Sequence, residues 1–217
     1  VAGVSFAPAA NWRWHLAAGR GLETPTFNEL AYRADTADEL AVASSSGGRS
    51  AYRNVGSTRR QGWELEARLP LTDHLQAQLA WTRLDARVRQ CDARGCAGLQ
   101  PGRRLPGTAR DVLALQLQGR HAGWQWQLGT SAISAMPADD ANLARAPGHL
   151  LLDAGLWRDW MTSAGPLQLS LAVDNLADRR HVASVVVNDG NGRYYEPGAG
   201  RSWRLGLRWR WGGNSPG

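Results

Sequence analysis

From Ser202 to Trp211 the chain alternates almost without a break. Trp203, Leu205, Leu207, Trp209 and Trp211 fall on one parity, and Arg204, Gly206, Arg208 and Arg210 on the other. Successive side chains of a β-strand point to opposite faces, so a ribbon of this sequence is apolar on one side and cationic on the other. Two architectures accept such a ribbon. A soluble sandwich buries the Trp/Leu side against a second sheet. A membrane barrel turns it to lipid and turns the arginines to a wet interior. Ten residues at about 3.3 Å each, tilted by about 45°, rise on the order of 24 Å, close to the apolar band of an outer-membrane barrel.

The pattern recurs along the chain. Trp12, Trp14, Leu16 and Ala18 interleave with Arg13 and His15, and Trp63, Leu65, Ala67 and Leu69 with Glu64, Glu66 and Arg68. Leu75, Ala77, Leu79 and Trp81 alternate with Gln76, Gln78, Ala80 and Thr82. Further segments follow at Leu113–Leu117, Trp124–Leu128, Leu150–Leu156 and Leu167–Val173. Period-two segments are strands with one apolar face. No long stretch keeps a helical period, and no run of 18 apolar residues offers a transmembrane helix, which says nothing against a barrel.

The connections also alternate. Pro8–Asn11, Pro70–His74, Arg120–Gly123 and Asp159–Pro166 are short; Arg20–Ala51, Arg89–Pro106, Met136–Gly148 and Asp178–Gly200 are long. Short turns alternating with long loops predict an all-β, antiparallel, up-and-down barrel segment with periplasmic turns and extracellular loops. About nine strands are expected, beginning with Val1–Ala7 and ending with a descending C-terminal strand. An odd count, and an opening with neither Met nor a leader-like segment, predict a portion of a larger barrel.

Composition narrows the function classes. The net charge is +6, every basic residue is Arg, and Trp outnumbers Phe 11 to 2. Scattered arginines with no helix-turn-helix, zinc or RNP-type pattern argue against nucleic acid as a partner. Asp139 and Asp140 have no paired His nearby, and residues 188–192, Asn-Asp-Gly-Asn-Gly, lack EF-hand spacing. The chain therefore reads as neither an enzyme nor a cofactor- or metal-binding domain. Cys91 and Cys96, in a Gly-containing loop, read as a local disulfide in an oxidising compartment. A metal site would want more ligands than His74 and His121, the nearest histidines.

Four phrases, in order, resemble one family. Gly19–Leu30 (GRGLETPTFNEL) is similar to a loop segment of TonB-dependent outer-membrane receptors. Asn54–Ala67 resembles their strand with an Arg-x-Gly-x-Glu-Leu element, here Arg60 to Leu65. Arg104–Leu117 resembles their Pro-Gly-x-x-Arg entry into a descending strand. Ala172–Leu207 resembles their C-terminal signature, with Asn175-Leu176-x-Asp178-x-Arg180, Tyr194-x-x-Pro197-Gly198-x-x-Arg201 and a closing aromatic strand. One departure stands near Arg33, where the family's Asn-x-x-Leu-x-Pro-Glu element and a further hairpin are missing.

The resemblance implies that residues 1–217 form the C-terminal part of a twenty-two-stranded barrel, with the plug domain and its TonB box outside this sequence. It implies a Gram-negative outer membrane, lipid on one face and TonB-dependent uptake of a metal chelate, a ferric siderophore first of all. Arg13, His15, Glu64, Glu66, Arg68, Arg204, Arg208 and Arg210 are then expected to face the lumen and the plug. Arg20, Arg103, Arg193, Tyr194 and Tyr195 are loop candidates for the chelate, since Arg offers fixed donors to carboxylates and Tyr a stacking surface. Solvated loops and structural hydrogen bonding are the competing readings of these residues. At the level of the whole chain, a passive porin-like or adhesin barrel and a secreted Trp-rich carbohydrate-binding sandwich are the alternatives.

Overall fold

The computed structural model describes residues 2–9, 12–19, 31–91 and 98–210, the first two segments as strand backbone only. Sixteen strands occur among the described residues, in chain order. They are β1 (Ala2–Ala9), β2 (Trp12–Gly19), β3 (Ala31–Thr36), β4 (Leu40–Ser46), β5 (Arg49–Asn54), β6 (Ser57–Thr72), β7 (Leu75–Gln90) and β8 (Asp111–His121). Then come β9 (Trp124–Ile133), β10 (Met136–Pro137), β11 (Arg145–Ala146), β12 (His149–Thr162), β13 (Gly165–Asp174), β14 (Val182–Val185), β15 (Tyr195–Pro197) and β16 (Ser202–Trp209). Ten form one sheet in the order β1-β2-β3-β6-β7-β8-β9-β12-β13-β16, and the rest form three small two-stranded sheets.

From β3 onward the large sheet is antiparallel, and its order follows the chain, as an up-and-down wall requires. Two features differ from the sequence expectation. β3 lies inside the stretch read as one long loop, which raises the strand count in the large sheet to ten. β2 and β3 run parallel, through Ala18↔Ala31 and Gly19↔Tyr32, so the up-down alternation breaks between them. β3 escaped the sequence reading because Ala31–Thr36 carries Arg33 and Asp35 where a strand elsewhere carries Leu or Trp.

Register turns the alternation into two faces. Trp203, Val173, Ala154, Leu128, Leu117, Ala77 and Leu69 form one continuous row across seven strands. On the opposite face, Arg204, Ala172, Gly155, Gln127, Gln118 and Gln76 form the matching row. A one-residue slip would exchange these faces, so the pattern itself fixes register. The apolar face is uncovered: Trp203 is 62%, Leu205 77% and Leu207 70% exposed. The principal buried cluster of the described residues sits elsewhere, at the long-loop end, where Val55, Ala86, Val88, Leu99 and Leu105 pack together.

Strand length explains that placement. β6 and β7 have 16 residues each. At about 3.3 Å per residue they run roughly 50 Å, well beyond what an apolar band about 25 Å tall needs even when tilted. Their turn-proximal halves carry the apolar row. Their distal halves carry charge on the same face, with Arg59 bonded to Asp35 and Arg87 to Asp85, and on the other face meet the loops.

Candidate functional site

At the long-loop end, four connections interlock into one platform. The β4–β5 hairpin turns through Gly47 and Gly48, both at positive φ (56° and 76°), the backbone that a two-residue hairpin turn demands. Its neck is closed by paired backbone bonds between Glu39 and both Val55 and Gly56. The hairpin is then stitched to the segment between β14 and β15. Ser45 N donates to Asn188 O, Gly190 N to Ser45 O, and Asn188 Nδ2 to Val42 O at 2.7 Å.

Asn188 also binds the β10–β11 loop. Its Oδ1 accepts from Asp140 N at 3.0 Å, and its backbone N donates to Ala138 O. From the hairpin, Arg53 Nη2 reaches Asp140 Oδ2 at 2.6 Å. Asn142, at positive φ (55°), exchanges bonds with both backbone groups of Arg104. Gly107 N donates to Pro137 O, which joins the β7–β8 loop to the same body. Burial pushes the Asp140 carboxyl up, against the opposing pull of Asn188 and Arg53. Beneath the hairpin, burial would raise Glu39 too, but hydrogen bonds from Arg60 and Thr58 and the charge of Arg60 hold it below its usual range.

A second clasp ties the ends of the last long loop. Asn175 is buried and at positive φ (51°). Its Nδ2 donates to Arg179 O (2.9 Å) and Ala199 O (3.1 Å), and its Oδ1 accepts from Arg179 N (2.8 Å). Asp178 Oδ1 accepts from Arg201 N at 2.9 Å, and Arg201 Nη1 donates to Leu176 O. The Asn-Leu-x-Asp phrase and the Pro-Gly-x-x-Arg stretch are thus two halves of one clasp, separated in sequence and bonded in space.

The polar wall below is rich in amides and carboxylates. Asp159 accepts from Gln125 (3.0 Å) and Gln168 (2.8 Å). A shallow hollow of about 310 Å³ is lined partly by Glu66, Gln78, Gln116, Gln127 and Asp153. Among the residues singled out from sequence, Glu66 pairs with Arg68 at 3.3 Å and Arg204 with Asp174 at 3.0 Å. Glu64 stands opposite Thr82 and Arg208 opposite Gln168, while Arg210 N donates to Pro166 O just beyond β16.

The loop candidates separate. Arg103 is committed to the platform, donating to Ala141 O and to Gln100 Oε1. Arg193 takes its place through its backbone N on Asp189 Oδ1 (2.8 Å), and the Tyr194 and Tyr195 rings lie 6.1 Å apart, tilted by 55°. Cys91 is disulfide-bonded. Cys96 and Arg20 lie outside the described residues, as do the side chains of Arg13 and His15. Sequence reading missed Asn142, Asn175 and Asn188 as organising residues. Asn tolerates the left-handed backbone and bonds neighbouring backbone, but such an Asn resembles any loop Asn until its partners are known.

An exposed apolar face in register, tight turns at one end and interlocked loops at the other are the features of a β-barrel wall. The family described as TonB dependent receptor-like, beta-barrel, matches residues 31–176, and the chain belongs to it. The ferrioxamine receptor of Yersinia enterocolitica is 33% identical over 139 residues, covering 61% of this chain and 19% of that receptor. The ferrioxamine B receptor of Salmonella typhimurium is 28% identical over 140 residues, again 61% and 19%. The chain therefore spans about a fifth of the length of the relatives it matches. Among solved structures, the siderophore receptor PiuA from Acinetobacter baumannii superposes with TM-score 0.61 at 20% identity, over 74% of this chain and 23% of that one. The ferric-catecholate import receptor Fiu from E. coli K12 gives 0.59 at 23% identity, over 80% and 23%.

Proposed function

We propose that this chain is barrel wall and extracellular loops of a TonB-dependent receptor in a Gram-negative outer membrane, and that the whole receptor takes up a ferric siderophore. The observation that carries the membrane part is the uncovered apolar face. A row of Leu, Ala, Val and Trp crosses seven strands in register while the packed core lies at the loop end. Lipid covers such a face without any second sheet. The iron-chelate part is supported by the named receptors in the comparisons.

In this proposal the polar wall, with Glu64, Glu66, Arg68, Arg204, Arg208 and Arg210, meets a plug domain through charge-assisted bonds, and Arg13 and His15 extend the same face. The platform presents Arg193, Tyr194 and Tyr195, together with Arg20, to an anionic chelate. Arg103 serves to position the platform. Passage is driven when TonB engages the plug.

The test is uptake of radioactive iron presented as ferrioxamine B in a strain lacking its own receptor. The full-length receptor containing this segment should restore uptake, and removing TonB should abolish it. Restoration that persists without TonB would instead establish a passive pore. A freely soluble full-length product would establish the sandwich reading.

A further inference from the structure

Arg158 stands on the apolar face. It pairs in register with Trp124 of β9 on one side and with Leu169 of β13 on the other. Its guanidinium carbon lies 5.4 Å from the Trp124 ring and 5.2 Å from the Trp160 ring, and the two indoles are themselves 6.1 Å apart, edge to face. The guanidinium also lies against the β8–β9 turn: a Cβ built on Gly123 would stand 3.5 Å from Nε and 3.6 Å from Nη2. The cation is therefore fixed at the tight-turn end, held by two aromatic faces and a turn.

What it lacks is an anion. Among the described residues no carboxylate or carbonyl accepts from Arg158. The adjacent Asp159 points to the opposite face, where Gln125 and Gln168 occupy its two oxygens. The other ionisable group in that corner of the apolar face is His121, opposite Trp124. Four other Arg on this face, Arg33, Arg59, Arg83 and Arg87 near the loop end, each have a carboxylate partner.

We infer that Arg158, clamped by Trp124 and Trp160, binds the phosphate of a glycerophospholipid headgroup in the periplasmic leaflet. The inference rests on the membrane reading given above. A cation on a lipid-facing strand is tolerated where its stem lies along apolar surface and its head reaches the interface. Aromatic faces fix the guanidinium plane, and its planar fork matches two phosphate oxygens, which a point charge on a flexible stem would not do as well. Indole rings favour the same depth, so tails, rings and headgroup are satisfied together.

The experiment uses the full-length receptor containing this segment, in lipid nanodiscs and after transfer to detergent, with retained lipid counted by native mass spectrometry. Phosphatidylglycerol, diacylglycerol with the same tails, and inorganic phosphate are the probes. Wild type should retain phosphatidylglycerol, and Arg158→Gln should retain roughly fivefold less or lower. Arg158→Lys should fall between them, and Arg208→Gln, on the polar face, should match wild type. Equal retention by Arg158→Gln and wild type would overturn the inference. So would equal retention of diacylglycerol, which would assign the lipid to its tails. Displacement by inorganic phosphate alone would overturn it in favour of a free-anion site. A receptor that does not enter nanodiscs at all would overturn the membrane reading itself.

Discussion

Leu207 lies in β16 between Trp203 and Trp209 and is 70% exposed. Arginine there would sit near the middle of the apolar band, so Leu207→Arg should destabilise the full-length receptor by roughly 2–4 kcal/mol, read from urea unfolding in lipid. Gly119 makes a different demand. It pairs with Trp126, and a Cβ on Gly119 would overlap the Trp126 indole, so the glycine exists to let the ring lie across the strand. Gly119→Val should cost about 1–3 kcal/mol in the same assay through overpacking, and Trp126→Ala should relieve part of that in the double variant. Asn175→Ala would remove three hydrogen bonds and place at positive φ a residue without the amide that helps Asn tolerate that conformation. A loss of roughly 2–4 kcal/mol follows from the bonds and the backbone together. A wild-type melting temperature for any of these three variants would show that the face or clasp assigned to it is wrong.

At the scale of elements, strands were legible and loops were not. Alternation is a one-dimensional signal, so β6–β9, β12, β13 and β16 could be read from residues such as Leu113, Leu115 and Leu117 directly. β4, β5, β14 and β15 could not, because hairpins above the membrane need no apolar face, and Val42 or Tyr195 carries no periodic partner. The platform they build is held by Glu39 and Asp140 among others, and these two respond oppositely to acid. Glu39 is lowered in the folded state, so its contribution is present above about 4.5 and is lost as pH falls through the lower folded value. Asp140 is raised, so its contribution is present below its ordinary value of 3.8 and is lost as pH rises through the higher folded value. Glu39→Gln should therefore destabilise the receptor at pH 7 by about 1–2 kcal/mol, discounted because Arg60 is a third exposed. The gap in melting temperature between variant and wild type should close toward pH 3. A gap independent of pH would mean that Glu39 acts through shape and not through charge.

For the whole molecule the decisive quantity is the number of open edges. The ten-stranded sheet begins at β1 and ends at β16, and among the described residues neither has an outer neighbour in the strand order. Each edge presents a row of unpaired N–H and C=O groups, which lipid cannot satisfy and which cost several kcal/mol apiece. The apolar face demands lipid and the edges forbid it, so the 217 residues expressed alone should not settle in either solvent. Pairing of both edges with further strands would resolve that conflict. Expressed alone with a secretion signal, the chain should aggregate or be degraded, and should fail to show the heat-modifiable gel shift of a closed barrel. The full-length receptor should show that shift and support siderophore-dependent growth. A heat-modifiable, membrane-embedded product from the 217 residues alone would mean that β1 and β16 find each other, and that the wall closes as a smaller barrel than its relatives build.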